Sequence, residues 1–209
     1  TFQIFTMSGN QKYISTRKLR FAVTCSSNMN RSMEVHNILL QRKFDIKSFG
    51  TGNTVKLPGP SIDKPNVYEF ETTPYDFMYK DLKNKDPKLY TNNGLLYMLE
   101  RNRKIKRFPQ KFQKCTDEFD VIICLEERVY DQALDFLQNR VPTSGERVHV
   151  INFDIVDNPQ DAMVGSVLVA NLCQKLEESE DVDNEMDDIL TEIELKNQTR
   201  NIMNTVCFY

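Results

Sequence analysis

The sequence predicts an α/β fold: a doubly wound parallel sheet of four to five strands flanked by helices, with a helical insertion acting as a cap. Three observations carry this reading. Short strand-like runs, Leu19–Thr24, Asp45–Phe49, Phe119–Leu125 and Arg147–Phe153, are separated by helical text, and strands that alternate with helices join right-handedly into a parallel sheet. The run Val121-Ile-Ile-Cys-Leu125 is apolar throughout, as a strand covered on both faces requires. At 209 residues, the chain can bury most of the surface its unfolded form exposes within one domain.

Residues 1–18 hold turn formers around Ser8-Gly-Asn10 and read as a flexible N-terminal extension or a cloning remnant, leaving 19–209 as the domain. After the first strand, Met33–Leu40 shows helical periodicity and closes on Gln41-Arg-Lys43, basic residues that suit a helix C-terminus. The second strand stops at Gly50-Thr-Gly52. Residues 50–70 are rich in Gly and Pro, which predicts a long ordered loop, and loops of that length are usually functional. From Pro74 to Ile105, Tyr75, Met78, Tyr79 and Leu82 share one helical face and Leu95, Leu96, Met98 and Leu99 another, which predicts the cap, with these side chains as its core. The basic run Arg101–Arg107 could pair with phosphates or dock an acidic or RNA partner, but most such runs are solvated helix faces, and its role stays unassigned. Glu126–Leu137 is the helix after the third strand, and Asp154–Pro159 the loop after the fourth. Helices over 161–177 and about 182–203 close the chain, the second with a solvated acidic run from Glu177 to Asp188.

Charged residues make up 27% of the chain and the net charge is only −3, so direct nucleic-acid binding is not indicated. Five cysteines at irregular spacing, with no signal-peptide pattern, suit a reducing compartment rather than a disulfide scaffold. Apolar runs fall far short of the ~18–20 residues that span a bilayer, so no membrane partner is expected. No Cys/His group has metal-ligand spacing, and neither a metal nor a cofactor is expected.

The chemistry gathers at Val23-Thr-Cys25-Ser-Ser-Asn28-Met-Asn30-Arg31-Ser32. A strand ending in Cys, five loop residues and Arg-Ser opening a helix would wrap the main-chain N–H groups of Ser26, Ser27, Asn28, Met29, Asn30, Arg31 and Ser32 around an oxyanion. That setting favours the thiolate of Cys25, the form that attacks phosphorus. Arg31 can grip two equatorial oxygens with its planar fork. Ser32 can donate to the sulfur and ease its departure, and Asn28 can take a left-handed backbone conformation in mid-loop. The spacing predicts phosphomonoester hydrolysis through a cysteinyl-phosphate. Ligands of such sheets bind beyond the carboxyl ends of the strands, which places Asp154 or Asp157 near the nucleophile as the acid for the leaving group. His36, inside a helix, and His149, inside a strand, read as hydrogen-bonded structural residues.

The segments Cys25–Glu34, Ser48–Gly52, Val55–Gly59, Asp63–Tyr68, Met98–Asn102, Glu126–Asp131, Val148–Asn152 and Thr205–Tyr209 resemble the Ssu (suppressor of sua) phosphatases of the RNA polymerase II C-terminal domain, a branch of the low-molecular-weight tyrosine phosphatase superfamily. The likeness spans about residues 19–209 and implies a low-molecular-weight phosphatase-like fold. It also implies Asp157 as the general acid, its Asp-Asn-Pro resembling an Asp-Pro acid loop. The implied substrate is phosphoserine at the fifth heptad position, followed by a cis proline. Lys56, Leu57, Pro58 and Tyr68 become candidates for the substrate groove. The implied partners are the phosphorylated polymerase C-terminal domain, a symplekin-like scaffold of RNA 3′-end processing and, functionally, a prolyl isomerase. The implied compartment is the nucleus, with the cytoplasm second. Two departures separate the chain from the tyrosine-specific branch: Asn30 stands where a second Cys often sits, and the acid loop lacks paired aromatics. A tyrosine phosphatase, an arsenate reductase, which would need two further cysteines close to Cys25, and a non-catalytic phosphopeptide-binding scaffold are the alternatives.

Overall fold

The computed structural model describes residues 18–197 and 202–209. The expected extension therefore lies, except for Lys18, outside the described residues. In chain order the elements are β1 (Arg20–Cys25), α1 (Arg31–Gln41), β2 (Asp45–Gly50), β3 (Val55–Leu57), β4 (Asn66–Tyr68), α2 (Tyr75–Lys85), α3 (Pro87–Asn92), α4 (Leu95–Ile105), β5 (Val121–Cys124), α5 (Glu127–Asn139), β6 (Arg147–Asn152), α6 (Pro159–Glu178), α7 (Val182–Asn197) and β7 (Met203–Phe208).

The main sheet runs β2-β1-β5-β6-β7. Its first four strands are parallel, with Cys25 opposite Gly50, Thr24 opposite Cys124 and Cys124 opposite Asn152. β1 and β5 are buried almost throughout, because helices cover both faces and neither face can be polar. Alternate strand residues divide between two cores. Phe21, Val23, Val121, Ile123 and Ile151 pack with α1, α6 and α7 through Val35, Leu39, Val169, Leu176 and Ile189. Ala22, Ile122, Cys124, Val148 and Val150 pack with α5 through Val129, Ala133 and Leu137.

Two expectations are corrected. The last helix does not run to 203; residues 203–208 form β7, antiparallel to β6 with Arg147 opposite Phe208. The text Met203-Asn-Thr-Val-Cys-Phe208 is β-branched at its centre and aromatic at its end, and the open edge of β6 supplies unpaired main-chain groups that outweigh local helix propensity. Tyr209, 1% exposed, then anchors the chain, its N–H donating to Glu146 O at 2.9 Å and its hydroxyl accepting from Phe119 N–H at 2.9 Å. The 50–70 segment is ordered but not wholly loop: β3 and β4 pair antiparallel, Val55 opposite Tyr68.

The cap is α2, α3 and α4, packed with the β3–β4 ribbon around Val55, Leu57, Tyr75, Met78, Leu82, Tyr90 and Leu99, and it shares Met29 and Met33 with the start of α1. The basic run is not a solvated face throughout. Arg101 pairs with Glu34 and donates to Met29 O at 3.0 Å, and Lys106 donates to Ser48 O at 2.5 Å. Arg101 lies on the inward side of α4, Lys106 follows the end of that helix in extended backbone, and Lys104 and Arg107 are exposed. The acidic run is largely exposed, while its Asp183 pairs with Arg147 at 2.7 Å and His149 at 2.9 Å. No helix of the described residues is long and apolar enough to cross a membrane.

Candidate active site

β1 carries Cys25 to the carboxyl edge of the sheet, and residues 26–30 curl from there into α1. The curl turns on Asn28, whose φ of 54° lies in the left-handed region that few non-glycine residues tolerate. Its side chain and carbonyl are held from several elements. Nδ2 donates to Ser32 Oγ at 3.0 Å and Ser48 Oγ at 3.2 Å, Oδ1 accepts from Gln110 N–H at 3.0 Å, and the carbonyl accepts from the Tyr75 hydroxyl at 2.7 Å. The segment after β2 holds the loop from its other flank. Thr51 N–H donates to Cys25 O at 3.0 Å and Gly52 N–H to Ser26 O at 2.9 Å. A Cβ on Gly52 would lie 2.9 Å from Ser26 O, so the approach needs glycine. Ser27 Oγ accepts from Lys56 N–H at 3.2 Å, and Ser26 Oγ from Arg128 at 3.3 Å. The main-chain N–H groups of residues 27–30 meet no acceptor among the described residues, which leaves them available to an anion beside the first turn of α1.

Cys25, 3% exposed, has Ser32 Oγ 3.0 Å from its sulfur. The Asn28 amide is oriented by Gln110, so Ser32 Oγ accepts from Asn28 and its own hydrogen is left for the sulfur. Arg31 is 3% exposed. Nη1 donates to Leu125 O at 3.0 Å and Ile155 O at 2.9 Å; Nη2 donates to Glu126 at 2.5 Å and lies 3.4 Å from Asp157 Oδ2. Burial opposes its charge, but Cys25, Asp157 and Glu126 together hold the guanidinium above its ordinary pKa. Nη1 is thus committed to two carbonyls, while the buried Nε has no partner among the described residues. Nε is therefore the N–H of the guanidinium that remains for an oxyanion.

Asp157 stands at the exposed end of the loop after β6. Oδ1 accepts from Asn30 Nδ2 at 3.0 Å. The loop is set by its flanks: Asn158 caps α6 through Asp161 N–H at 2.8 Å, with Pro159 at the first helical position, which the fixed proline φ favours. A Cβ on Gly165 would meet Ile155 at 2.4 Å, so α6 approaches Ile155, whose carbonyl holds Arg31, closely enough to require glycine. Asp154 is exposed and accepts from Asn152 at 3.3 Å.

Cys25 and Asp157 open into one cleft of about 220 Å³ between the loop, the β3–β4 ribbon and α4. Lys56, Leu57 and Pro58 line it, whereas Asp154 and Tyr68 do not. Tyr68 is 8% exposed in the cap core, its hydroxyl donating to Asp81 at 2.7 Å, because β4 alternates and its position faces α2. Tyr97, Met98, Arg101 and Met163 also line the cleft, and local sequence pattern points to none of the four as a site residue. Glu126, directly after β5, is legible by the same rule that finds Asp154 and Asp157, since it too lies at a strand carboxyl end.

The histidines are hydrogen-bonded in the body of the fold, His36 Nδ1 to Ser48 Oγ at 2.8 Å and His149 Nε2 to Asp183 at 2.9 Å. Burial pushes the Cys124 thiol up to about 12 and that of Cys115 up to about 11. All five cysteines are free thiols, and the described residues hold no cluster of potential metal ligands. With a nucleophile, a fixed cation, converging N–H donors and a carboxylic acid at one cleft, the arrangement can perform group transfer on a phosphomonoester.

Known proteins resemble the chain along nearly its whole length. The family described as Ssu72-like protein matches residues 19–209. The RNA polymerase II C-terminal domain phosphatase ssup-72 of Caenorhabditis elegans is 59% identical over 192 residues, covering 92% of this chain and 98% of that protein. The RNA polymerase II C-terminal domain phosphatase SSU72 of Homo sapiens is 55% identical over 191 residues, covering 91% and 97%. The crystal structure of D. melanogaster Ssu72 with Symplekin, bound to a cis peptidomimetic of the polymerase C-terminal domain phosphorylated on its fifth-position serine, superposes with a TM-score of 0.88 at 45% identity, covering 92% of this chain and 99% of that one.

Proposed function

The chain belongs to the Ssu72-like protein family, and from that premise we propose that it is a cysteine-dependent phosphatase acting on phosphoserine-proline, at the fifth heptad position, in the C-terminal domain of RNA polymerase II. The observation that carries the reading is that Cys25, with Ser32 Oγ at its sulfur, and Asp157, with Arg31 beside it, line one cleft. Relatives more than half identical are named as phosphatases of that domain. Nuclear action in transcription and RNA 3′-end processing, with a symplekin-like scaffold as partner, accords with the complex formed by the similar D. melanogaster protein. A prolyl isomerase supplies the cis isomer.

The phosphate enters with its equatorial oxygens on the N–H groups of residues 27–30 and on Arg31 Nε. The Cys25 thiolate attacks phosphorus; the bond from phosphorus to the serine oxygen breaks, and that oxygen takes a proton from Asp157 as it leaves. Asp157, now a carboxylate, accepts a proton from water as the water attacks the cysteinyl-phosphate. Inorganic phosphate departs and the thiolate returns, eased by the Ser32 hydroxyl at 3.0 Å. Charge stabilisation by donors held in place before reaction is the larger contribution, and the tethers on Asn28 and Arg31 provide that fixity. Arg31 is held by groups on the β5 and β6 edges, so its position does not depend on the phosphate.

The test is release of phosphate from a heptad peptide phosphorylated on its fifth-position serine. Turnover should fall by on the order of 10³-fold or more in Cys25→Ser, as for loss of other nucleophiles, while vanadate binding remains measurable. Turnover in Cys25→Ser above about a tenth of wild type would exclude a cysteinyl-phosphate. A phosphotyrosine peptide cleaved as fast as the phosphoserine one would reassign the substrate.

A further inference from the structure

The residues behind the loop that follows β2 form a pocket outside the chemistry above. It measures about 320 Å³, lies between residues 51–53, Gln113 and α5, and shares no lining residue with the catalytic cleft. Three of its lining residues carry a buried side-chain oxygen with no hydrogen-bond partner among the described residues: Thr51 Oγ1, Gln113 Oε1 and Gln132 Oε1. Thr51 is 2% exposed. The orientation of the Gln113 amide is not arbitrary, because its Nε2 donates to Thr51 O at 2.9 Å, so the oxygen is the unpaired atom. Native interiors rarely leave such groups unpaired, and each one calls for an explanation.

The chemistry of the wall specifies what would satisfy it. Two amide oxygens accept only, and a hydroxyl can accept. Asp135, at the pocket's edge, holds a carboxylate that takes Asn139 Nδ2 at 2.8 Å and no cation among the described residues. Arg140 also borders the pocket, but its guanidinium stacks on Tyr209, 4.6 Å from the ring centre, and donates to Thr143 at 3.3 Å. The Arg140 guanidinium is thereby engaged away from an occupant, to which Asp135 offers its carboxylate. Phe136 adds a flat apolar wall. Several acceptors, one negative charge and an aromatic face match a planar cation with many N–H donors, which a guanidinium has and an ammonium, with three donors, has less fully. Stacking on Phe136 favours the same group.

We propose that this pocket is a second binding site, which takes an arginine side chain presented by a protein segment. It borders the phosphate loop directly, since Thr51, which lines it, also donates its N–H to Cys25 O at 3.0 Å. The proposal does not depend on the substrate assigned above.

The experiment titrates the whole chain with Gly-Arg-Gly amide and follows main-chain amide NMR signals. Gly-citrulline-Gly amide, Gly-Lys-Gly amide and guanidinium chloride serve as comparisons. The arginine peptide should shift signals of residues 51–53, 113 and 132–140 at concentrations where the other three have little effect. Gln132→Leu and Asp135→Asn should each weaken it about tenfold or more, the scale of one hydrogen bond to a charged group, with aryl phosphate turnover unchanged. Both side chains are at least partly exposed, and unchanged signals from β5 would show that the variants fold. No shift, shifts confined to the cleft, or undiminished binding by either variant overturns the site. Equal binding of the citrulline peptide overturns the cation, of the lysine peptide the guanidinium, and of guanidinium chloride the protein segment as its source.

Discussion

The side-chain amide of Asn30 donates to Oδ1 of Asp157 over 3.0 Å, joining residues 127 apart in the chain. The partner oxygen, Oδ2, lies 3.4 Å from Arg31 Nη2. The loop after β6 is thereby fastened to the phosphate loop at two adjacent residues, and the carboxyl group is held over the same cleft as Cys25. Asp154 lies outside that cleft.

Asp157→Asn should slow hydrolysis of phosphoserine peptides by roughly 10²–10⁴-fold, the scale of general acid catalysis, and that of an activated aryl phosphate far less. Asp154→Asn should show no dependence on leaving group. Rates with a series of aryl and alkyl phosphates check this, and the pattern appearing with Asp154 alone would reverse the assignment.

Arg31→Lys should lower kcat by about 10²–10³-fold, as for loss of a group that stabilises the transition-state charge. A single ammonium cannot hold Leu125 O, Ile155 O and Glu126 as the guanidinium does and also present an N–H to phosphate. Steady-state kinetics on the aryl phosphate decide it; near-normal kcat removes Arg31 from the mechanism.

Stability should depend on pH through His36. Burial, with the charge of Lys106, lowers this histidine from 6.5 to about 4. The unfolded chain then binds a proton that the folded chain refuses, so stability rises with pH across this window. The contribution is complete above about 6.5 and is lost as pH falls towards 4, a loss on the order of 3 kcal/mol. Urea unfolding at a series of pH values should show this slope in the wild type and a flatter one in His36→Gln. Equal slopes would mean that the ring is not held neutral.

With enzyme in excess, phosphate release from a phosphoserine-proline peptide should be biphasic. In flexible peptides roughly 10–30% of X–Pro bonds are cis, exchanging over tens to hundreds of seconds. A site that takes only cis proline, the isomer mimicked in the D. melanogaster complex, gives a fast phase of that amplitude and a slow phase set by isomerisation. A prolyl isomerase should accelerate the slow phase and leave total phosphate unchanged. One fast phase of full amplitude would show that trans proline is accepted.

The spacing from Cys25 to Arg31 and Ser32, the parallel strands and the placing of acidic residues at strand ends were legible in the sequence. Each depends on local patterning, since strand, loop and helix signals lie within a few residues of the chemistry they position. Asn28 belongs with them, because a residue able to adopt φ of 54° was expected in mid-loop. What patterning could not supply were partners distant in sequence. Arg101 and Lys106 read as solvated charges until the cap docks on α1 and β2, where Glu34, Met29 O and Ser48 O become their partners. Tyr68 belongs to a segment expected near the groove, yet the alternation of β4 turns it to Asp81. β7 follows a helical pattern and becomes a strand because β6 offers an open edge. The orphaned oxygens of Thr51, Gln113 and Gln132 come from three separate segments and meet only in the fold. Local order is determined by sequence periodicity and turn chemistry, whereas the pairing of charges and the unpaired oxygens depend on which distant surfaces exclude water from one another.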